Sequence, residues 1–173
     1  ADIVRADKIF GKTIAEMKGK TVTRKAKISG AQLAPKVTQK QQVMDVDIFF
    51  VQGIPFLLGL LSPLGLMLVI ELKSGRTAPR VAEAMTILIN SAKSQNFEVS
   101  LVRSDGEGGM VAMADELGAL GMPLEITGAD QHVTRAERGI RTIKERVRTH
   151  AAALPYVMPK VMVIFCVYFC VSR

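Results

Sequence analysis

Residues 134–149 read TRAERGIRTIKERVRT, and this stretch has the periodicity of an amphipathic helix. An apolar stripe recurs at spacings of four, three and four residues and consists of Ala136, Ile140, Ile143 and Val147. A second stripe, shifted by one residue, consists of Glu137, Arg141, Lys144 and Arg148. Because residues three and four apart share one side of a helix, the apolar stripe can pack on a core beside the charged one. A carboxylate followed by a row of cations suits a helix that lies along a polyanion with its first turn at a metal ion.

The same residues allow an ordinary structural interpretation. Thr134 and Glu137 have the spacing of a capping box, in which each side chain accepts a hydrogen bond from a backbone N–H group at the helix start. Glu137 and Arg141 are also spaced as a common i, i+4 ion pair. The choice between a helix cap and a metal ligand therefore depends on the residues upstream.

The chain has 173 residues, of which 49 % are hydrophobic, so it can form one domain with a sizeable core. Its net charge of +7 is unevenly placed, because residues 1–40 alone carry ten basic and three acidic side chains. We interpret residues 1–40 as a basic, solvated linker and residues 41–173 as the core domain. The linker favours a polyanionic partner, nucleic acid before membrane, although a featureless basic tail fits its composition equally well.

The two cysteines, Cys166 and Cys170, lie in one late apolar run. This is no disulfide framework, and it favours a reducing compartment. The chain begins with Ala and ends inside an apolar segment. We therefore expect a piece of a longer protein, with the core truncated at its C-terminus.

Residues 43–51, VMDVDIFFV, have the composition of a β-strand. Alternation places Asp45 and Asp47 on one face with Phe49 and Val51, while the opposite face is wholly apolar. Such a strand is expected at the centre of a sheet, where an ionised side chain is costly unless it is paired or bound to a metal ion. We interpret Asp45 as part of a frayed strand start in water, and Asp47 as a carboxylate that needs such a partner.

Residues 48–70 contain no charged side chain, a length that could span a bilayer. The segment nevertheless contains turn-forming residues that divide it into pieces of strand length: Gly53, Pro55, Gly59, Pro63 and Gly65. We therefore predict three antiparallel strands, at about 43–51, 54–61 and 66–72. Insertion into a membrane stays open as an alternative.

Helices and strands alternate in the rest of the chain. We predict a helix at about 78–94, a strand at 97–103, a short helix at 110–120, a strand at 124–127, the helix from Thr134 and an apolar helix at 159–171. The last helix is too short to span a membrane and is interpreted as a core helix. Three antiparallel strands followed by right-handed crossovers predict an α/β fold with a five-stranded mixed sheet, helices on both faces and the fourth strand beside the first.

This topology brings three carboxylates into one region. Asp47 would lie at the centre of the sheet, Asp105 at the end of the neighbouring strand and Glu137 on the helix after the fifth strand. Three carboxylates without a cation would repel one another, and Mg²⁺ or Mn²⁺ relieves this repulsion. Two such ions about 4 Å apart can stabilise the attacking and leaving oxygens of a phosphodiester. Asp105 with Gly106 also fits an ordinary tight turn.

These residues resemble the motifs of one family. The segment 136–145, read as A-E-R-x-x-R-T-x-x-E, resembles the helix that carries the last acid in copia-type retrotransposon integrases. Residues 103–107, RSDGE, are similar to the second-aspartate motif of that family, and Asp47 before IFFV is similar to the first. Residues 7–21 are similar to the segment that precedes the core in one branch of these elements. The resemblance implies an RNase H-like fold and a DDE polynucleotidyl transferase that inserts element DNA into host DNA.

The resemblance also implies roles for residues. It makes Asp47, Asp105 and Glu137 the catalytic residues and the ligands of two Mg²⁺ or Mn²⁺ ions. Arg141 and Lys144 match basic residues that approach the DNA end in related integrases. We assign to the same DNA-binding surface Arg138, Arg148 and Gln131.

The implied partners are element and target DNA and further copies of the chain, with no membrane and no small-molecule substrate. The implied location is the nucleus, reached through a cytoplasmic virus-like particle as part of a larger polyprotein. Two other classes stay open. One is an RNase H-fold nuclease that cleaves with the same acids without joining. The other is a decayed, non-catalytic fragment in which residues 48–70 and 161–171 enter lipid.

Overall fold

The computed structural model describes residues 40–73, 77–105, 118, 123–127 and 134–172. The strands are β1 (Gln41–Val51), β2 (Ile54–Ser62), β3 (Leu66–Glu71), β4 (Glu98–Asp105) and β5 (Leu124–Thr127). The helices in these ranges are α1 (Ala78–Ser94), α2 (Thr134–Ala153) and α3 (Lys160–Val171). The predicted order of these elements is confirmed. The main difference is that β4 continues two residues beyond its predicted end at Arg103, to Asp105.

The five strands form one mixed sheet in the order β3-β2-β1-β4-β5, with β1 at its centre. β1 pairs with β2 in antiparallel and with β4 in parallel orientation, and β4 pairs with β5 in parallel. The prediction that the fourth strand lies beside the first is therefore confirmed. Gln52 and Gly53 connect β1 to β2 with φ angles of 49° and 79°, the left-handed conformation that a two-residue hairpin turn requires.

Each face of the sheet has its own apolar core. On one face, α1 contributes Val81, Met85, Leu88 and Ile89 to a cluster with Met44, Val46, Leu57 and Leu61 of the sheet. On the other face, α2 and α3 cover Phe49, Phe56 and Leu58 with Ala136, Ile140, Ile143, Val147, Val163 and Val167. Helices therefore pack on both faces, and the apolar stripe predicted for α2 is buried.

Close packing fixes the position of α2 over the centre of the sheet. A Cβ atom on Gly139 would lie 3.3 Å from both the Leu58 side chain and the Met67 sulfur, which is a tight contact. Glycine at this position therefore lets the helix approach the sheet closely. On the same face, the rings of Phe49 and Phe56 stack with their centroids 5.5 Å apart. The first turn of α2, which carries Glu137, is thereby held near β1.

The interpretation of α3 as a core helix is only half right. Val163, Val167 and Cys170 are buried against the sheet and α2. The opposite side of the helix exposes large apolar residues: Val161, Met162, Phe165, Tyr168 and Phe169. An uninterrupted apolar run predicts burial of the whole helix. It does not show that one side of a helix at the edge of a domain packs against the sheet and α2 while the opposite side faces solvent.

Residues 48–70 form strands and turns of the sheet. Within the described ranges, no helix combines the length and hydrophobicity that crossing a membrane requires. Some predictions lie outside the described residues. They are the basic linker apart from Lys40, the short helix at 110–120 apart from Gly118, and the loop that contains Gln131.

Candidate active site

Asp47 lies on the central strand, on the face that packs against α2. Its partner in the antiparallel register is Leu58, and two residues further on Phe49 faces Phe56. The carboxylate is half-buried, whereas Phe49 is only 2 % exposed. Asp47 therefore stands where the apolar core beneath α2 ends and solvent begins.

A cavity of about 550 Å³ opens between β1 and the first turns of α2. The residues that line it are Asp47, Ile48, Phe49, Glu137, Ile140, Arg141, Lys144 and Arg148. The whole charged stripe of α2 thus faces the same cavity as Asp47, because residues at these spacings share one side of a helix. Two carboxylates and three cations meet there, which suits a ligand that carries phosphates.

Asp105 lies on the neighbouring strand at the same level. Val46 of β1 is in register with Ser104 of β4, so Asp105 is placed beside Asp47 at the end of the paired segment. Asp105 also shares its face of the sheet with Arg103, since alternate residues of a strand point to the same side. Asp105 is half-buried but is not among the residues that line the 550 Å³ cavity.

Carboxylate oxygens are suitable ligands for Mg²⁺, but the structure places only two of the three predicted acids at one cavity. Among the residues that the structure describes, no three His, Cys, Asp or Glu side chains lie close enough together to hold a metal ion. Asp47 and Glu137 do share a cavity, with hard oxygen donors of the kind that Mg²⁺ prefers. In nucleotide-processing sites Mg²⁺ is usually bound by one or two carboxylates, water and substrate phosphates. Asp47 and Glu137 therefore supply donors of the type that such a site uses, and Asp105 lies one strand away.

The remaining predicted DNA contacts have different outcomes. Arg138 is exposed on α2 but is not among the residues that line the cavity. Gln131 lies outside the described residues, and so does the Thr134 side chain, so the capping box stays an open alternative for Glu137. The roles of Asp47, Asp105, Glu137 and the basic residues in catalysis and DNA binding stay predictions.

The interpretation of Asp45 as a frayed, solvated residue is wrong. Asp45 is 2 % exposed, and its Oδ1 lies 3.1 Å from Nε of Arg103. The Ser62 hydroxyl donates a hydrogen bond of 3.1 Å to the other carboxylate oxygen. β1 begins at Gln41, so Asp45 lies well inside the strand and its charge is compensated by a neighbouring strand. The sequence signal that could have found this ion pair is the arginine two residues before Asp105, on a strand predicted to lie beside β1.

The two cysteines of α3 take no part in this site. Burial raises the pKa of the Cys166 thiol, and burial together with the neighbouring Cys166 raises the pKa of Cys170 to about 12. Both thiols are therefore protonated at neutral pH, the form that is a poor nucleophile and a poor metal ligand. A backbone contact gives this region a structural role, because Arg146 of α2 donates a hydrogen bond of 2.6 Å to the Cys170 carbonyl oxygen.

Comparison with known proteins identifies the fold. No protein-family model matches the chain, and no curated protein matches its sequence. Among solved structures, the catalytic core domain of BIV integrase is similar to it, with a TM-score of 0.58 and 16 % sequence identity. The match covers 75 % of this chain and 80 % of that one. The fold is therefore RNase H-like, of the kind found in an integrase core.

Proposed function

We propose that this chain is the catalytic core of a copia-type retrotransposon integrase, which cleaves and joins phosphodiester bonds to insert element DNA into host DNA. The observation that carries the proposal is the cavity where Asp47 and Glu137 meet three cations of α2. The integrase-like fold supports it, because β1 carries Asp47 and α2 carries Glu137 in the sheet topology predicted for such a core. The motif in residues 136–145 adds the specific family.

In this proposal the carboxylates and the cations have separate tasks. Asp47 and Glu137, with Asp105 from the adjacent strand, hold Mg²⁺ or Mn²⁺. The bound metal supplies Lewis-acid stabilisation and lowers the pKa of an attacking oxygen. Because carboxylates alone would repel a polyanion, Arg141, Lys144 and Arg148 hold the DNA backbone against them. Arg138, which is exposed on α2, extends the DNA-binding surface outside the cavity, and Gln131 is proposed as a further DNA contact.

The length of the charged stripe on α2 is consistent with a polymeric substrate. Along α2, the line from Glu137 to Arg148 covers eleven residues, or about 16 Å at the helical rise of 1.5 Å per residue. A run of that length can follow several phosphates of one strand. The proposed partners are accordingly element and target DNA and further copies of the chain. The proposed location is the nucleus.

The test is an assay of the purified chain for both cleavage and joining in Mg²⁺ or Mn²⁺. A branched duplex that mimics the joined product is one substrate, because the reverse of joining is the same phosphodiester exchange run backwards. Linear duplexes with recessed and blunt ends, offered with a plasmid target, measure the forward reaction. We expect metal-dependent activity in both assays, and its loss in Glu137→Gln.

Glu83→Gln is the matched control, since Glu83 is an exposed glutamate of α1 that pairs with Arg80 on the other face of the sheet. Metal-dependent cleavage without joining in either direction would replace the proposal with a nuclease. Wild-type activity in Glu137→Gln would show that Glu137 serves only as a helix cap.

A further inference from the structure

The buried ion pair beside the candidate site is unusual in its geometry. Nε of Arg103 and Oδ1 of Asp45 lie 3.1 Å apart, and both atoms are shielded from solvent. Within the described part of the chain, neither atom has a hydrogen-bond partner, so the two groups are held by charge without a directional bond. Buried polar atoms are almost always hydrogen-bonded, and an exception calls for a physical reason.

The outer end of the Arg103 side chain is accessible. Asp45 is 2 % exposed, whereas the Arg103 side chain is 35 % exposed. Because Nε itself is shielded, the exposed third of the side chain belongs to other atoms of Arg103. Glu125 of β5 lies opposite Arg103 in the strand register. Among the described residues, however, Arg103 forms its ion pair with Asp45.

Arg103 lies on the same face of the sheet as Asp105 and Asp47. Arg103 and Asp105 are two residues apart on β4, which corresponds to about 7 Å along one face of the strand. α2 packs over β1 and β2 on this face, so its cations lie on one side of Asp47 and Arg103 lies on the other. A phosphate at the carboxylates would therefore meet positive charge from the sheet as well as from the helix.

We propose that Arg103 binds a phosphate of the DNA strand held at the carboxylates, and that Asp45 is the positioning residue that keeps its guanidinium there. This inference rests on the proposed function, because it takes DNA as the ligand. Arginine suits the task, since its planar fork can bind two phosphate oxygens at once. A buried pair is also weak evidence for stability alone, because apolar residues of similar volume often replace such a pair without loss. Replacing both residues of the pair by apolar residues therefore tests the proposal, because it removes the guanidinium without leaving a buried charge unpaired.

The experiment measures binding of fluorescein-labelled duplex and single-stranded DNA by anisotropy, at several salt concentrations and with either Mg²⁺ or EDTA, so that binding is measured separately from activity. The variants are Arg103→Met, Arg103→Lys and the double variant Asp45→Leu/Arg103→Met. Arg80→Met is the control, since it removes an exposed arginine from α1. Thermal melting checks that each protein is folded.

We expect Arg103→Met to bind about 5- to 10-fold more weakly at 0.1 M salt and to reduce the salt slope by about one. Arg103→Lys should recover only part of the affinity, because an ammonium group lacks the fork. The double variant should melt like the wild type and still bind weakly, even if Arg103→Met alone does not fold. Arg80→Met should bind as the wild type does.

A double variant with wild-type affinity and salt slope would overturn the inference and leave the pair a purely structural contact. A wild-type chain that binds no DNA would instead refute the proposed function itself. The two failures are therefore distinguishable in one set of measurements.

Discussion

Asp45 and Asp47 lie on the same face of β1, separated by one residue, yet their surroundings differ completely. Asp45 is 2 % exposed and is compensated by fixed neighbours, Arg103 and Ser62, on the adjoining strands. Asp47 is half-buried and faces a cavity whose cations belong to a helix. Two carboxylates on one strand face therefore differ in burial, since Asp45 is enclosed with its partners and Asp47 borders a cavity beside α2.

The physical cause of this difference is the cost of desolvation. A buried carboxylate must be compensated inside the protein, because the interior screens its charge far less than water does. A carboxylate at the edge of a cavity keeps part of its hydration and can accept a metal ion or remain in water. Removing a partner of a buried carboxylate should destabilise the fold. Removing a carboxylate at the edge of a cavity should instead weaken ligand binding. Substitutions of the two aspartates should therefore affect different properties of the protein.

The largest difference should appear in catalysis. Asp47→Asn keeps the shape of the side chain but removes the charge that we propose binds a metal ion, so cleavage and joining should fall at least about 100-fold. EDTA should have the same effect on the wild type, and added Mg²⁺ should restore the wild type alone. The stability of Asp47→Asn in urea should stay within about 1 kcal/mol of the wild type. Retained activity in this variant would show that Asp47 is no metal ligand.

The next largest effect should be on folding stability, and here Asp45 should be the more sensitive of the two aspartates. Asp45→Ala leaves Arg103 without its buried partner. Breaking a fully buried pair costs about 3–5 kcal/mol, and the partial exposure of Arg103 lowers our expectation to about 2–3 kcal/mol. Asp47→Ala should cost no more than about 1 kcal/mol. Urea denaturation of both variants measures the difference, and equal losses of unfolding free energy would contradict it.

Sequence reasoning predicted the sheet well because its signals are local. Alternating and uninterrupted apolar runs separated by glycine and proline set the strands, and the crossover rules then set their order. The sequence pattern also predicted that Glu137, Arg141 and Lys144 share one side of α2, since helical spacing alone determines this. These parts needed no knowledge of tertiary contacts.

The role of Asp45 could not be predicted in the same way. Its burial depends on where β1 begins and on which β4 residue lies opposite, and strand boundaries and register are weakly specified by one sequence. The exposed side of α3 was missed for a related reason, because apolar composition does not state how many neighbours a helix has. Both errors concern contacts between elements and not the elements themselves.

The basic linker provides a second comparison, between residues 1–40 and the residues that line the cavity. We predict that replacing Lys18, Lys20, Arg24 and Lys25 by Gln lowers the slope of log affinity against log salt. The expected change is about 0.9 for each phosphate that the variant no longer neutralises, because fewer counterions are released. Catalysis at saturating DNA should not change, since the carboxylates lie in the core. An unchanged slope would show that these four side chains do not bind phosphates.

The smallest effects should distinguish two cations of α2 in the way that Asp45 and Asp47 are distinguished. Lys144 lines the cavity, whereas Arg146 donates a hydrogen bond to the Cys170 carbonyl oxygen of α3. Lys144→Ala should therefore weaken DNA binding a few-fold and reduce the salt slope by about one, with stability within about 0.5 kcal/mol of wild type.

Arg146→Ala should do the reverse, because its charge is engaged inside the protein. Losing a hydrogen bond from a charged donor should lower the unfolding free energy by about 1–2 kcal/mol and leave the salt slope unchanged. Anisotropy titrations and urea denaturation of the two variants give both quantities, and Lys93→Ala, on the exposed last turn of α1, is the control for loss of one positive charge. If both α2 variants changed the salt slope equally, DNA would be responding to the net charge of the helix. The cavity would then have no special part in DNA binding, because Arg146, which bonds to α3, and Lys144, which lines the cavity, would contribute equally to the salt slope.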